Sequence, residues 1–309
     1  MDRLQSMRVF SKVVEQGSFA RAGGKLEMSN AVVTRHVADL EQHLGTRLLN
    51  RTTRKLSLTE TGQHYLERVR QILSDIDDAD AVASSATLRP SGTLRLYCHP
   101  SFGQTQLAPL LPHFAASQPD IVLDVTLADR TVDLVEEGFD AGIFIGVQKI
   151  DPGMIARRLA TTSVIMVASP DYVRRRGMPK VPADLSSHDC LNYAFEQVRH
   201  HWPVRCGGDK VTHVPIVNKM ISNNSEILRQ AAIAGMGVMM RGTCLITDDI
   251  TSGRLLRLLP DHCVERMAIY LVYPSRRHLS AKVRSFVDFM LETYPNPEHD
   301  PWLAHISPS

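Results

Sequence analysis

The chain has 309 residues, 35 Lys and Arg against 33 Asp and Glu for a formal charge of +2, and 43% hydrophobic residues, amounts that fit roughly two soluble domains. No run approaches the ~20 apolar residues of a membrane span, and the opening MDRLQSMRVFSKVVEQGSF lacks a secretory peptide's apolar segment, so a cytoplasmic location without membrane contact is expected. The five cysteines, Cys98, Cys190, Cys206, Cys244 and Cys263, stand without a CxxC pair, which argues against a disulfide framework and a zinc site.

Over residues 1–60 basic residues outnumber acidic ones, which suggests an anionic partner for that segment. Leu4, Met7, Phe10 and Val14 recur at helical spacing and predict a first helix ended by Gly17. Ser18 suits the N-cap of a second, short helix carrying Phe19, Ala22 and Leu26, and Ser29 suits that of a third. In the third helix Val33, Val37, Leu40 and Leu44 form one apolar stripe that must dock on the other two. Arg35 falls nearly opposite the stripe, with Thr34 on its flank and the small Ala31 and Ala38 keeping that surface low. Such a pattern predicts a helix-turn-helix whose second helix enters the DNA major groove, where Arg35 would grip guanine and Asn30 adenine. The following RLLNRTTRKLSLTETG predicts a hairpin wing, with Arg51, Arg54 and Lys55 at its tip placed to contact phosphate.

The whole segment GSFARAGGKLEMSNAVVTRHVADLEQHLGTRLLNRTTRKLSLTETG resembles, without gaps, the winged helix-turn-helix of LysR-type transcriptional regulators. Ser29, Thr34, Arg35, Leu40, Glu41, Leu44, Gly45, Leu48, Arg51, Leu58, Thr59 and Gly62 carry the match. The resemblance implies double-stranded DNA as partner and Ser29, Asn30, Thr34, Arg35 and Arg51 among the contacts. Asn30 stands where the family has Gln, Ala31 where it often has Pro. Gly23 and Gly24 stand where it usually has helix formers, and each is expected to cost up to ~1 kcal/mol of helix stability.

Thr59 can cap a helix running to about Ala86, in which Leu66, Val69, Leu73 and Ile76 keep an alternating three and four spacing, the seam of a coiled coil. A lone helix on the order of 40 Å long needs a partner, so a homodimer, and from it a homotetramer, is expected; packing along the chain's own body is the alternative. LRPSG, residues 88–92, then marks a hinge.

From Thr93 onward short apolar runs alternate with helical patterns, including TVDLVEEG, in α/β order. By the resemblance, which covers residues 2 to 293, the region forms two subdomains of periplasmic-binding-protein type around a cleft for a small-molecule effector. The expected division is 1–60 for the winged helix-turn-helix, 61–88 for the linker and dimerisation helix, and 89–293 for the effector domain. Within the last, subdomain I takes about 92–162 and 267–293 and subdomain II about 163–266, leaving 294–309 as a mobile tail, in which Trp302 and Leu303 could dock. Two turns before helices, HPSFGQTQ with Ser101, Phe102 and Gly103, and SNNSEILRQ with Asn223 and Asn224, could offer free N–H groups to an organic anion. The family match adds Arg130, Phe144 and Trp202 as wall residues.

RHHWPVRC clusters His200, His201 and Cys206 without a recognised metal spacing, and Cys98 beside His99 on a strand would point the two side chains apart. No catalytic set, cofactor motif or metal set emerges, so a regulator is expected and not an enzyme. A cysteine-based redox regulator using Cys190 and Cys206 or another pair, or an enzyme carrying a DNA-binding head, are the alternatives.

Overall fold

The protein, a computed structural model, is described over residues 2–306 apart from 52–55, 84–88, 131, 147–150, 152, 207–210 and 276–278. Its head begins with α1 (Arg3–Gln16), which starts on the Asp2 carboxylate and stops at Gly17 in the left-handed region, φ 59°. The face it buries carries Ser6, Val9, Phe10 and Val13, one step round from the stripe the spacing predicts. Ser6 is tolerated inside because its hydroxyl donates to Asp2 O at 2.9 Å and meets His36 Nδ1 at 3.0 Å.

Helices α2 (Phe19–Leu26) and α3 (Asn30–Leu44) are capped by Ser18 and Ser29. Val33, Val37 and Leu40 are fully buried in the head core, while Leu44, the fourth member of the expected stripe, is 36% exposed where the helix outruns its partners. The two glycines of α2 are unlike. A Cβ on Gly23 would stand 2.6 Å from Met28 O, whereas one on Gly24 meets nothing within 4 Å. Gly23 therefore buys the tight turn into α3, and the expected helix penalty is uncompensated only at Gly24.

β1 (Leu49–Arg51) and β2 (Leu56–Leu58) pair antiparallel with Leu49 opposite Leu58, forming the base of the wing. Thr59 joins the wing to α4 (Glu60–Ala83): its hydroxyl donates to Arg47 O at 2.8 Å and accepts the Gly62 N–H at 2.9 Å. A Cβ on Gly62 would lie 2.0 Å from Leu48 O, so only glycine lets α4 rest on the strand. Leu66 packs into the head core and Val69 is fully buried. Both are thereby removed from the expected intermolecular seam, because the first three turns of α4 use their apolar side to close the head.

Beyond residue 88 the elements are β3 (Gly92–Cys98), α5 (Pro100–Phe102), α6 (Leu111–Ser117), β4 (Ile121–Leu127), β5 (Ala141–Ile145) and β6 (Met154–Ala168). Next come α7 (Pro170–Arg176), β7 (Asp189–Tyr193), β8 (His201–Cys206), β9 (Val211–Pro215), β10 (Val217–Ser222) and α8 (Ser225–Ile233). The chain closes with β11 (Val238–Gly242), α9 (Thr247–Thr251), β12 (Leu256–Leu258), β13 (His262–Cys263), β14 (Glu265–Pro274) and α10 (Ala281–Thr293). Within TVDLVEEG, residues 134–138 form turns, not a helix. The main sheet runs β10-β7-β11-β6-β14-β5-β3-β4, with β12 also on β6. β6 and β14 are antiparallel, Thr161 opposite Ala268 and Thr162 opposite Met267, and they tie two lobes together. One lobe holds parallel β3, β4 and β5 over a core around Phe102, Phe114 and Phe286. The other holds parallel β7, β10 and β11 between cores around Trp202 and Leu228.

Residues 294–306 are docked, contrary to the expected mobile tail. The Asp300 carboxylate, 4% exposed, accepts the N–H of Ser163 at 2.7 Å and of Leu303 at 2.9 Å and the Thr243 hydroxyl. Trp302 Nε1 donates to Gln106 Oε1 at 2.8 Å and its ring meets Phe102 and Tyr294. Ile306 joins the core around Leu228. The tail thus straps one lobe to the other beside the crossing strands.

Candidate functional site

The outer side of α3 is a prepared polar surface. The Ser29 hydroxyl accepts the Val32 N–H at 3.3 Å, which starts the helix and leaves Asn30 exposed at its first position. Thr34 donates its hydroxyl to Asn30 O at 2.8 Å, keeping its own oxygen lone pairs for a further donor. The Arg35 side chain is 83% exposed, and Asp39 Oδ2 at 3.9 Å holds its Nε only loosely. Arg51 lies in β1 with its side chain outside the described residues, and Arg54 and Lys55 lie outside them altogether.

Behind this surface stands a residue whose role the spacing did not reveal. Glu41 Oε1 accepts the N–H groups of Leu48 and Leu49 at 2.8 and 3.1 Å and so fixes the wing against α3. A carboxylate on a helix face carries no local sign of partners seven and eight residues away.

Between the lobes the expected wall residues separate. Ser101, 6% exposed, reaches across: its Oγ lies 2.5 Å from Ser225 Oγ at the start of α8. The N–H of Ser101 is already taken by His99 Nδ1 at 3.3 Å, and those of Glu226 and Ile227 by Asn224 Oδ1 at 2.9 and 3.1 Å. These three N–H groups cap their own helix starts and are not open to an anion. Asn223 is exposed beside them.

Five residues expected at the effector site make other contacts in the structure. Phe102 is fully buried in its lobe's core, and Gly103 packs beneath the end of the Leu127 side chain. Phe144 lies tilted against Tyr97, ring centroids 5.3 Å apart, in a cluster with Leu134, Phe139 and Val272. Trp202 is fully buried and donates Nε1 to Asn192 Oδ1 at 3.1 Å. Arg130 is paired through both terminal nitrogens with Glu137, which holds its guanidinium above the ordinary range.

Cys98, Cys190 and Cys244 are buried, and Cys263 is half-buried. Burial pushes the thiols of Cys98, Cys190 and Cys244 up to about 12. Cys190 therefore lacks the thiolate that oxidation attacks, against the redox alternative; the side chain of its suggested partner Cys206 lies outside the described residues. Among the described residues no group of three His, Cys, Asp or Glu could hold a metal ion, and no helix is long and apolar enough to cross a membrane.

Residues 4–63 match the family model described as bacterial regulatory helix-turn-helix protein, lysR family, and residues 88–295 match the LysR substrate binding domain. The HTH-type transcriptional repressor PA14_22550 of Pseudomonas aeruginosa is 35% identical, over 96% of this chain and 94% of its own length. The HTH-type transcriptional activator TtdR of Escherichia coli is 32% identical over 93% of this chain and 92% of its own. Among solved structures, that of CrgA from Neisseria meningitidis superposes with a TM-score of 0.61 at 31% identity, covering 94% of this chain and 99% of the other.

Proposed function

This chain belongs to the LysR family of transcriptional regulators, DNA-binding proteins and not enzymes, and from that premise we propose that it reads a specific operator with Asn30, Thr34 and Arg35. The observation that carries this is the position of Arg35, exposed on the side of α3 opposite the buried Val33, Val37 and Leu40. A guanidinium so placed is free to fork onto guanine O6 and N7, and Asn30 to meet adenine. Arg51, Arg54 and Lys55 on the wing supply phosphate contacts that add affinity without sequence information.

The working division is a head over 1–60, a linker over 61–88 and an effector domain over 89–293. Dimerisation falls to the part of α4 beyond Val69, where Leu73 and Ile76 stand half-buried and Ile72 is 41% exposed. Two heads joined in this way face two half-sites of an interrupted palindrome. A small organic anion entering beside Ser101 and Ser225 displaces their contact and favours one arrangement of the lobes over the other, which is the differential affinity a switch requires. The docked tail, bonded to both lobes, lies in the path of that change.

Selection of duplexes from a random library by the full-length chain tests the reading. An enriched interrupted palindrome is expected, with half-sites spaced by whole helical turns. Recovery of duplexes with no common sequence overturns it.

A further inference from the structure

Within β11, Arg241 interrupts an otherwise apolar strand, VMMRG, and is 2% exposed. It shares a strand face with Met239, whose neighbours are Leu228, Ala232 and Ile246 beneath α8. Its Nη1 donates to Ser225 O at 2.6 Å, while its Nε is buried without a partner. Among the described residues no carboxylate lies within ion-pair distance of it. Burial is the main influence on the guanidinium and pushes it down, with Tyr193 and Glu226 acting the other way; arginine keeps its proton in proteins, so a positive charge sits in the interior with no carboxylate in direct contact.

The contrast with Arg229, one turn along α8, is informative. Arg229 places Nε and Nη2 on the two oxygens of Asp249 at 2.5 and 2.6 Å and Nη1 on Glu226 at 2.7 Å. Glu226 is further held by Gln230 Nε2 at 2.8 Å. The acidic residues nearby are thus already committed, and Arg241 is left over. Ser225, which accepts from Arg241 through its carbonyl, is also the residue whose hydroxyl meets Ser101 from the opposite lobe. The unpartnered charge therefore lies directly behind the point where the two lobes touch.

We propose that Arg241 is the cation that recognises a small-molecule carboxylate entering between Ser101 and Ser225, with Nε and its neighbouring terminal nitrogen as the binding fork and the two hydroxyls as further donors. The assignment rests on the effector reading above and gives it a residue and a ligand class. A carboxylate fits better than a phosphate, because one guanidinium carries one charge and a dianion would bury a second, unmatched one. Displacement of the Ser101–Ser225 contact by the incoming oxygens links occupancy to lobe arrangement.

The test uses the full-length chain and its Arg241→Met and Arg241→Lys variants in carboxylate-free and phosphate-free buffer. Melting temperature and calorimetric affinity are measured with acetate, benzoate, L-lactate and inorganic phosphate, and with the uncharged amides of the three acids. At least one carboxylate is expected to bind the wild type saturably, more tightly than its amide and than phosphate. Arg241→Met should weaken it on the order of ten- to a hundredfold, the span of a lost charged hydrogen-bond pair, with Arg241→Lys between. Without ligand, Arg241→Met should melt no lower than wild type, since an apolar chain of similar length replaces a buried charge with no carboxylate in direct contact. Equal carboxylate affinity in wild type and Arg241→Met overturns the assignment and leaves the effector reading standing, as does binding of the amides alone or of phosphate in preference. A lower ligand-free melting temperature in Arg241→Met with unchanged affinities makes Arg241 a packing support and overturns it too. If no probe binds, charged or neutral, the assignment and the effector reading fall together.

Discussion

Alanine at Gly24 and alanine at Gly23 should change the stability of α2 in different directions, although the two positions are adjacent in one helix. At Gly24 the new methyl meets open space, so the full difference in helix propensity is realised, about 1 kcal/mol in favour of the variant. At Gly23 the same gain is opposed by a Cβ 2.6 Å from Met28 O, in a turn where the Met28 N–H donates to Gly23 O at 2.9 Å and Glu27 already sits at φ 55°. Relieving that overlap costs ~1–3 kcal/mol, so the net falls up to ~2 kcal/mol on the destabilising side. Hydrogen exchange of the peptide covering α2, followed by mass spectrometry on the full chain, reads both. Gly24→Ala should slow exchange about fivefold and Gly23→Ala should leave it equal or faster. Equal slowing in both variants would refute the close approach as the reason for Gly23.

Gly62→Ala should destabilise the head by several kcal/mol, because its Cβ would overlap the Leu48 carbonyl, and circular dichroism melts of the full chain should show the head unfolding first. Trp302→Ala should release the tail and lower the effector domain's stability by about 3–5 kcal/mol, the cost of emptying a core tryptophan site, seen as faster exchange around Gln106 and Thr243. The thiols of Cys98, Cys190 and Cys244 keep their protons in the fold up to about 12 but lose them in the unfolded chain near the ordinary thiol value, so the folded state holds protons the unfolded state has given up. Stability should therefore fall as pH rises from about 9 toward 12, by up to ~1.4 kcal/mol per pH unit for each thiol, and alkylation at pH 8 should be slow without denaturant.

What the sequence revealed was local. Ser18, Ser29 and Thr59 are caps written next to the helices they begin, and the stripe through Val33, Val37 and Leu40 is a single-helix property. The stripe of α1 shifted because Ser6 found a partner in His36, thirty residues on, and no pattern within one helix registers such a partner. Leu66 and Val69 follow a coiled-coil spacing that serves equally well to close the head beneath them. Two of the expected effector-site residues show the same limit. Trp202 and Phe102 look like ligand aromatics until the lobes are folded, when each fills its own core. The tail's composition suggested mobility, yet Asp300 and Trp302 answer donors and acceptors on both lobes. Arg241 did leave a trace, a charge inside the run VMMRG, which only burial without a counter-ion turns into a site.

The most direct measurement is the affinity of the full-length chain and of Arg35→Ala for the selected operator and for a scrambled duplex of equal length and salt. The account predicts a loss of ~1–3 kcal/mol on the operator, roughly five- to a hundred-and-fifty-fold, with a much smaller loss on the scrambled duplex. Equal losses on both duplexes, or none on either, would contradict base reading by α3.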